Sequence, residues 1–240
     1  IGVFFMYKLR SSDKRGTTKN SWLNSKHTFS FADYYDINNM GFSDLRVIND
    51  DIVAPGQGFG LHPHSNMEII SIVLEGVLEH KDSIGNVSVI KKGEVQKMSA
   101  GTGILHSEYN PSKVNPVHFL QIWIIPDKMN LKPYYEQKTF DLEKYSDELI
   151  LIASQNGERN SIKISQNVKV YQCLLNNNNT VEFTVKPNRK YWVQIAGGSA
   201  DINTINLNEG DGLAFSQEDN LLRITSQKDN TNFLIFDLRP

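Results

Sequence analysis

The sequence has little cysteine, and its histidines are confined to one half of the chain. Cys173 is the single cysteine among 240 residues, and His118 is the last of six histidines. One cysteine cannot close an intrachain disulfide, which excludes the class of small secreted proteins built on a disulfide framework and predicts a cytoplasmic protein. Cys173 lies in a predicted strand, where we expect it to pack as a small hydrophobic residue. Chemistry that depends on histidine is expected in the first half of the chain.

An excess of charge and a long apolar run are also missing. Lys plus Arg number 25 and Asp plus Glu 27, a net charge of -2, so no basic field draws in nucleic acid or an anionic membrane. No stretch has the roughly 18 apolar residues of a spanning helix. The short apolar start precedes its basic residues, the reverse of a signal peptide. We expect no export signal and no direct nucleic-acid or membrane partner, and take Met6 as a candidate natural start with residues 1–5 upstream of it.

Short, β-branched segments separated by glycine turns fill most of the chain. One set runs from Met67 to Ile125 and a second from Lys169 to Leu238. This rhythm is typical of an antiparallel sandwich or barrel rather than of βαβ units. We predict an all-β fold of two domains, residues 1–135 and residues 136–240, the second beginning with a linker.

An internal echo links the two sets of strands. Residues 72–76 followed by residues 91–94 resemble residues 193–197 followed by residues 208–211: a strand, a Gly turn, short strands and a Gly-acid turn. Two copies of one β module would explain the echo. Coincidence stays open, because such turns are common in all-β proteins.

Two pairs of candidate metal ligands stand at i and i+2. They are His62 with His64, and His106 with Glu108. Side chains two residues apart on a strand point to the same face. Facing inward in a small barrel, three neutral imidazoles and one carboxylate could converge on one divalent first-row metal ion and leave positions open for water, oxygen or substrate.

The other histidines and nearby residues have plainer interpretations. His27 is expected to be a hydrogen-bonded structural residue, and His80 a solvated strand position. His118 alternates with residues 119, 121 and 123, and parity alone does not decide which of these two faces lines the barrel. Phe59 and Gly60 could shape an apolar mouth for a flat ligand or serve the core or rim.

Two segments resemble the two conserved motifs of cupins. The first consists of Gly56, five residues, His62-x-His64, three residues and Glu68, with Gly76 beyond. The second is residues 93–110. Within cupins the chain resembles the pirin family, in particular its bacterial quercetinase branch. The similarity is tight over about the first 135 residues, and beyond them it rests on length and strand rhythm. The segments that carry it are HTFSFADYY (27–35), GFSDLRVIND (41–50), GQGFGLHPH (56–64) and AGTGILHSEYN (100–110).

The resemblance implies a bicupin, two cupin-type β-barrel domains with a metal only in the first. It implies His62, His64, His106 and Glu108 as the metal ligands. Glu68 stands where general cupins place their fourth ligand, and here we assign it to support of the ligands or of its strand, with ligation as the alternative. No other cofactor site is expected. The ion implied is Fe(II), although Mn, Co, Ni, Zn or Cu would suit the same donors.

The function implied is quercetin 2,3-dioxygenation, the opening of a flavonol ring by O₂, with Glu108 as general base. The expected partners are a flavonol-like aromatic substrate and O₂, acting on a monomer. One alternative hypothesis is a non-catalytic, iron-binding redox sensor that regulates a protein partner. Another is a cupin isomerase or a dioxygenase for a different phenolic compound.

Overall fold

The computed structural model describes residues 6–216 and 221–240, and residues 1–5, with the question of where the natural chain starts, lie outside them. The described residues form strands and three short 3-10 turns, so the predicted all-β class is confirmed. None of their helices is long and apolar enough to cross a membrane. In the first half the strands are β1 Met6–Arg10, β2 Gly16–Lys19, β3 Leu23–His27, β4 Leu45–Val53, β5 Gly58–His64, β6 Glu68–Glu75, β7 Val77–Asp82, β8 Val87–Lys91, β9 Glu94–Ser99, β10 Ile104–Tyr109, β11 Val117–Ile124 and β12 Tyr134–Thr139.

The second half continues with strands of similar length. They are β13 Ile150–Ser154, β14 Ile162–Lys163, β15 Lys169–Leu175, β16 Thr180–Thr184, β17 Lys190–Gly197, β18 Ser199–Ile202, β19 Ile205–Asn208, β20 Gly212–Ser216, β21 Leu221–Ser226 and β22 Thr231–Leu238. The 3-10 turns are Ser12–Lys14, Ile37–Asn39 and Glu158–Asn160.

The chain divides into two compact units that are not contiguous in sequence. The N-terminal unit comprises Gly16–Phe140 and Ile162–Gln166, and the C-terminal unit holds the remaining described residues. The sequence predicted one boundary, after residue 135, and gave no sign of this exchange of segments. Strand pairing explains why the N-terminal segment belongs to the C-terminal unit. Strand β1 pairs antiparallel with β20 over five residue pairs.

Each unit packs a large sheet against a four-stranded sheet. In the N-terminal unit the large sheet has the order β12-β9-β6-β11-β4-β3-β2 and the small one β5-β10-β7-β8. In the C-terminal unit the orders are β1-β20-β17-β22-β15-β13 and β16-β21-β18-β19. The six strands of the C-terminal large sheet correspond in order to the first six of the N-terminal one, with β6 equivalent to β17 and β9 to β20, and the two four-stranded sheets correspond strand by strand. The echo in the sequence falls on these equivalent strands, which supports duplication of one β module.

A polar layer divides the core of the N-terminal unit. Pairing registers place His27, Asn49, Gln121, Ser71 and Gln96 in one row across five neighbouring strands. All five side chains are buried. Two apolar clusters flank the row, one around Phe119 and Val73 and the other around Ile69 and Met98. Buried polar groups need hydrogen-bond partners, so this row marks where the unit can hold polar chemistry.

The C-terminal unit has an apolar core instead. Its buried cluster includes Val181 and Phe183 on β16, Leu222 and Ile224 on β21, and the single cysteine, Cys173. Burial raises the pKa of the Cys173 thiol to about 12. The predicted packing of Cys173 as a small hydrophobic residue is confirmed.

Candidate metal centre

Two neighbouring strands carry the four predicted ligands. β5 and β10 pair antiparallel, with His62 opposite His106. Along β10, His106 and Glu108 are buried whereas Leu105 is exposed, and along β5, His62 and His64 are both partly buried. The strand alternation expected from the i, i+2 spacing therefore holds on both strands.

A bulge on β5 lies at the centre of the site. Glu108 pairs with Phe59 and His106 with His62, so β5 contains one residue more than β10 over this interval. Such an insertion changes the direction of the side chains around it. Next to the bulge, a Cβ on Gly58 would lie 2.2 Å from the carbonyl oxygen of Glu108. A glycine is needed there for the two backbones to approach.

Three histidines converge beside this bulge. The ring centroids of His62, His64 and His106 lie 4.4 to 4.9 Å apart, and one nitrogen from each ring lies within 4.8 Å of the other two. Nε2 of His106 is buried and has no hydrogen-bond partner among the described residues. A buried nitrogen lone pair without a partner fits a metal ion, because leaving it unpaired costs free energy.

The electrostatics of the site keep the rings of His64 and His106 neutral. Burial, with the neighbouring histidines adding to it, lowers the pKa of His106 to about 2. Burial first, and then the charge of His62, lowers the pKa of His64 to about 4. Neutral imidazole is the form that binds a metal ion. The site is therefore set to bind a cation without first losing protons from these two rings.

Glu108 places a buried carboxylate beside His106, in a second group that does not include His62 or His64. Its ligand oxygen groups with nitrogens of His106 and His80, again within 4.8 Å of one another. Burial raises the pKa of Glu108 to about 7, against the lowering effect of hydrogen bonds from Ser71 and Gln121. At neutral pH this carboxyl can both hold and release a proton.

A fixed hydrogen-bond chain orients the Glu108 carboxylate. The Trp123 indole donates to Gln121 Oε1 at 3.1 Å, and since indole N–H is only a donor, it fixes which end of the amide is the oxygen. Gln121 Nε2 then donates to Glu108 Oε2 at 2.6 Å. The Ser71 hydroxyl donates to Glu108 Oε1 at 3.1 Å. The carboxylate is held by groups from two strands of the opposite sheet.

His80 was expected to be solvated, and this prediction is wrong. Its side chain is fully buried, with Nε2 3.1 Å from Asp82 Oδ2 and Nδ1 3.4 Å from His106 Nδ1. A carboxylate only accepts, so His80 carries its proton on Nε2, its Nδ1 accepts, and His106 carries its proton on Nδ1. That tautomer turns the lone pair of His106 Nε2 to the unpartnered side. The alternation of Leu78 and His80 with charged neighbours on β7 was the signal that His80 points inward.

Glu68 lies away from the cluster. Its carboxylate accepts from the Ser99 hydroxyl at 3.0 Å and from the Ser165 backbone N–H at 3.2 Å, and Lys97 Nζ is 3.4 Å away. Glu68 is an odd number of residues from Ser71 on β6, so it points to the opposite face from the Ser71 hydroxyl that meets Glu108. These contacts agree with strand support.

Two further histidines have structural partners. His27 is buried, with Nδ1 2.8 Å from Asn49 Oδ1 and Nε2 2.9 Å from the Thr18 hydroxyl, so its predicted structural role is confirmed. His118 Nε2 lies 2.6 Å from Asp50 Oδ1. The face of β11 that lines the cavity is the one with residues 121 and 123, which places His118 on the other face.

A cavity of about 260 Å³ opens beside the cluster. His62, His64 and Glu108 contribute to its wall, and Phe59 and Trp123 give it aromatic surfaces. The Phe59 ring packs edge-on against Trp22 at 5.3 Å, and the Trp123 ring packs edge-on against Phe31 at 5.3 Å. Aromatic walls with a few convergent polar groups are typical of a small-molecule site.

Asp51 is a second buried carboxyl on the wall of this cavity. Burial raises its pKa to about 7, and the nearby Asp50 and Glu108 charges act in the same direction, whereas Ser25 and His118 lower it. Sequence reasoning missed Asp51, because an acidic residue beside Asp50 on a strand gives no local sign of burial.

The raised carboxyl pKa values and the lowered histidine pKa values act on the stability of the metal-free protein in opposite directions. Between about pH 4 and pH 7, Asp51 and Glu108 are protonated only in the folded state, so each lowers the free energy of unfolding by about 1.4 kcal/mol per pH unit as the pH rises. Between about pH 4 and pH 6.5, His64 and His106 are protonated only in the unfolded state, so each raises it by the same amount. We therefore predict nearly constant stability from about pH 4 to pH 6.5, a fall between pH 6.5 and about pH 7, where the histidines no longer compensate, and a level profile above that. Melting temperatures of chelator-treated protein at pH 5, 6.5 and 8 measure this profile.

The Asp51→Asn variant should gain stability between pH 5 and pH 6.5, where the wild type stays nearly level, and should lose less than the wild type between pH 6.5 and pH 8, because Glu108 alone then opposes the two histidines. Asp50→Asn, which changes the neighbouring carboxylate on the other face of β4, is the matched control. An Asp51→Asn profile that overlays the wild type would contradict the burial of a titrating group at this position.

Comparison with known proteins identifies the family of this chain. The pirin family model matches residues 8–124, and a model described as quercetinase C-terminal cupin domain matches residues 151–238. The quercetin 2,3-dioxygenase of Escherichia coli K12 is 44% identical over 98% of this chain and 100% of its own length. A putative quercetin 2,3-dioxygenase of Pasteurella multocida is 41% identical over 97% of this chain and 100% of its own length.

A solved structure agrees in fold over the same extent. The E. coli bacterial pirin YhhW in complex with nickel(II) superposes with a TM-score of 0.92 at 44% identity, covering 98% of this chain and all of that one. The all-β fold of two cupin-type domains and the resemblance on residues 27–110 are thereby confirmed. The chain is a two-domain cupin of the pirin family, in the branch whose bacterial members are named quercetin 2,3-dioxygenase.

Proposed function

We propose that this protein is a metal-dependent dioxygenase that opens the heterocyclic ring of quercetin or a related flavonol with O₂. The observation that carries the proposal is the convergence of three histidines, with a buried carboxylate beside one of them, at the wall of an aromatic cavity. The names of the relatives that match the whole chain support the reaction class. A flat aromatic substrate suits the rings of Phe59 and Trp123.

The proposed ligands are His62, His64, His106 and Glu108. Their donor set suits a divalent first-row ion, and we propose Fe(II), with Mn, Co, Ni, Zn and Cu able to use the same donors. Nickel(II) is the ion in the E. coli relative. Such an ion, when bound, supplies Lewis acidity toward a substrate oxygen and a meeting point for substrate and O₂.

Glu108 is the proposed proton acceptor for the substrate hydroxyl. Its Oε2 receives an amide N–H from Gln121, which can only donate, so a proton there would break that contact. Its Oε1 faces the Ser71 hydroxyl, which can rotate from donor to acceptor. A proton taken up on Oε1 therefore preserves both hydrogen bonds. The aromatic walls of the cavity limit the access of water to this proton.

We place the protein in the cytoplasm as a monomer that meets its small substrates by diffusion. The buried single cysteine suits a reducing compartment. The proposed metal site draws all its ligands from the N-terminal unit of one chain, so catalysis needs no second copy.

Aerobic turnover tests the proposed function directly. Protein reconstituted anaerobically with Fe(II) should consume the visible absorbance of quercetin and an equivalent amount of O₂ when air is admitted, and chelator-treated protein should not. Oxygen electrode and absorbance traces from one sample give the stoichiometry. Absence of turnover with each of the candidate ions, together with a partner affinity that changes when iron is oxidised, would favour the regulatory hypothesis instead.

We predict that His62→Ala abolishes tight metal binding, because the substitution removes one of three converging nitrogens. The fold should stay intact, because the His62 side chain is only partly buried. Elemental analysis after dialysis gives metal content, and circular dichroism of the metal-free protein checks the fold. The control is His118→Ala, which should retain the metal. The His118 ring is paired with Asp50 of β4 and lies on the face of β11 that does not line the cavity. Full metal content in His62→Ala would exclude the ligand assignment.

Glu108→Gln is expected to retain part of the metal but to lower kcat by roughly a hundredfold or more, the usual effect of removing a positioned base. The amide keeps the shape of the side chain but cannot take up the proton. Glu79→Gln, on an adjacent strand and paired with Lys81, should keep the wild-type rate. A rate in Glu108→Gln equal to that of the wild type, normalised to bound metal, would exclude Glu108 as the base.

A further inference from the structure

The cavity has a second polar wall that the proposed metal chemistry does not use. It is formed by residues of β2, β3 and β4, among them Thr18, Ser25, His27, Asn49 and Asp51. Neither of the two possible metal-binding groups found among the described residues includes any of them. A separate role for this wall therefore has to come from its own hydrogen bonds.

Most polar atoms of this wall are paired with one another. His27 contacts Asn49 and Thr18 through its two ring nitrogens. Ser25 forms a hydrogen bond with the Asp51 carboxyl. Asp51 Oδ1 differs, because it is buried and has no hydrogen-bond partner among the described residues. Asp51 as a whole is only 2% exposed.

A buried carboxylate oxygen without a donor costs free energy, and a ligand that brings a donor recovers it. Asp51 stands directly across from Ser25 on β3 and from Phe119 on β11. Asp51 lies two residues from Asn49 on β4, so the two side chains share a face of the strand. Asn49 pairs with Gln121, the residue that donates a hydrogen bond to Glu108. Asp51 and the metal cluster thus border one cavity at different positions along its wall.

We propose that Asp51 Oδ1 accepts a hydrogen bond from a hydroxyl group of the aromatic substrate, a hydroxyl other than the one directed to the metal cluster. This inference rests on the proposed function for the orientation of the substrate. The class selected is a polyhydroxylated flat aromatic, with one oxygen toward His62, His64 and Glu108 and an O–H donor at Asp51. Asp51 acts as a specificity-determining residue.

The charge of the site favours a neutral hydroxyl over an ammonium group as the donor. A divalent ion among His62, His64 and His106 would repel a cationic ligand in the same small cavity. A phenolic O–H supplies a donor without added charge, and its ring can pack on Phe59 and Trp123. A substrate without this hydroxyl would leave the buried Asp51 Oδ1 without a donor, so the contact discriminates between substrates with and without the hydroxyl.

Binding to the metal-free protein tests the proposal separately from catalysis. The probes are quercetin, which has further hydroxyls on its rings, and 3-hydroxyflavone, which has only the one on the heterocycle. Quenching of tryptophan fluorescence reports binding, because Trp123 lines the cavity. We expect Asp51→Val to weaken quercetin binding about tenfold or more and to change 3-hydroxyflavone binding less than twofold. Asp51→Asn, which keeps a neutral acceptor, should fall between the wild type and Asp51→Val.

Asp50→Asn is the matched control and should bind both flavonols as the wild type does. The proposal is overturned if Asp51→Val binds quercetin as tightly as the wild type, if it loses both flavonols equally, or if the wild type binds neither. With iron-loaded protein, the same substitution should raise KM for quercetin more than it lowers kcat. If Asp51→Val loses quercetin binding selectively and the iron-loaded wild type still fails to turn quercetin over, the hydroxyl site stands and the proposed dioxygenase function fails.

Discussion

A carboxylate buried inside a β unit has to be hydrogen bonded, and the arrangement of the N-terminal unit follows from this constraint. Glu108 is held by Gln121 and Ser71 from the opposite sheet, and Gln121 is oriented in turn by Trp123. These contacts need strands β6, β10 and β11 in one register, because a shift of one residue would turn every side chain to the other face. The polar layer is therefore both a structural requirement and the support of the site.

The three histidines depend on that same register. His106 lies two residues before Glu108 on β10, so fixing one side chain fixes the face of the other. Pairing of β5 with β10 then brings His62 and His64 to the cluster, and the bulge beside Gly58 sets their direction. Asp82 and His80 complete the support by leaving the lone pair of His106 Nε2 free of protein donors. The site is thus organised before any ion binds, which limits the entropy lost on binding.

The C-terminal unit shows what the same topology does without the polar layer. Its strands β16 and β21 correspond to β5 and β10, and they contribute Val181, Phe183, Leu222 and Ile224 to an apolar core. Hydrophobic burial alone satisfies this core, so nothing in it requires a polar ligand. One β module has thereby given a unit with a candidate metal centre and a unit with a packed interior.

By itself the sequence determined the local features: the all-β class, the pairs of side chains that share a strand face, and the confinement of histidine to the first half. These follow from the two-residue period of a strand and from turn chemistry, which act over a few residues. Its resemblance to pirins added the family and the bicupin fold.

Only the tertiary structure decided the rest. It decided that His80, whose inward direction the alternation on β7 indicates, meets His106, that Glu68 faces Lys97, that Asp51 borders the cavity and that β1 joins the C-terminal unit. Each of these depends on which distant strand lies opposite and in which register. That pairing is set by the packing of whole sheets, and no local pattern in the chain encodes it.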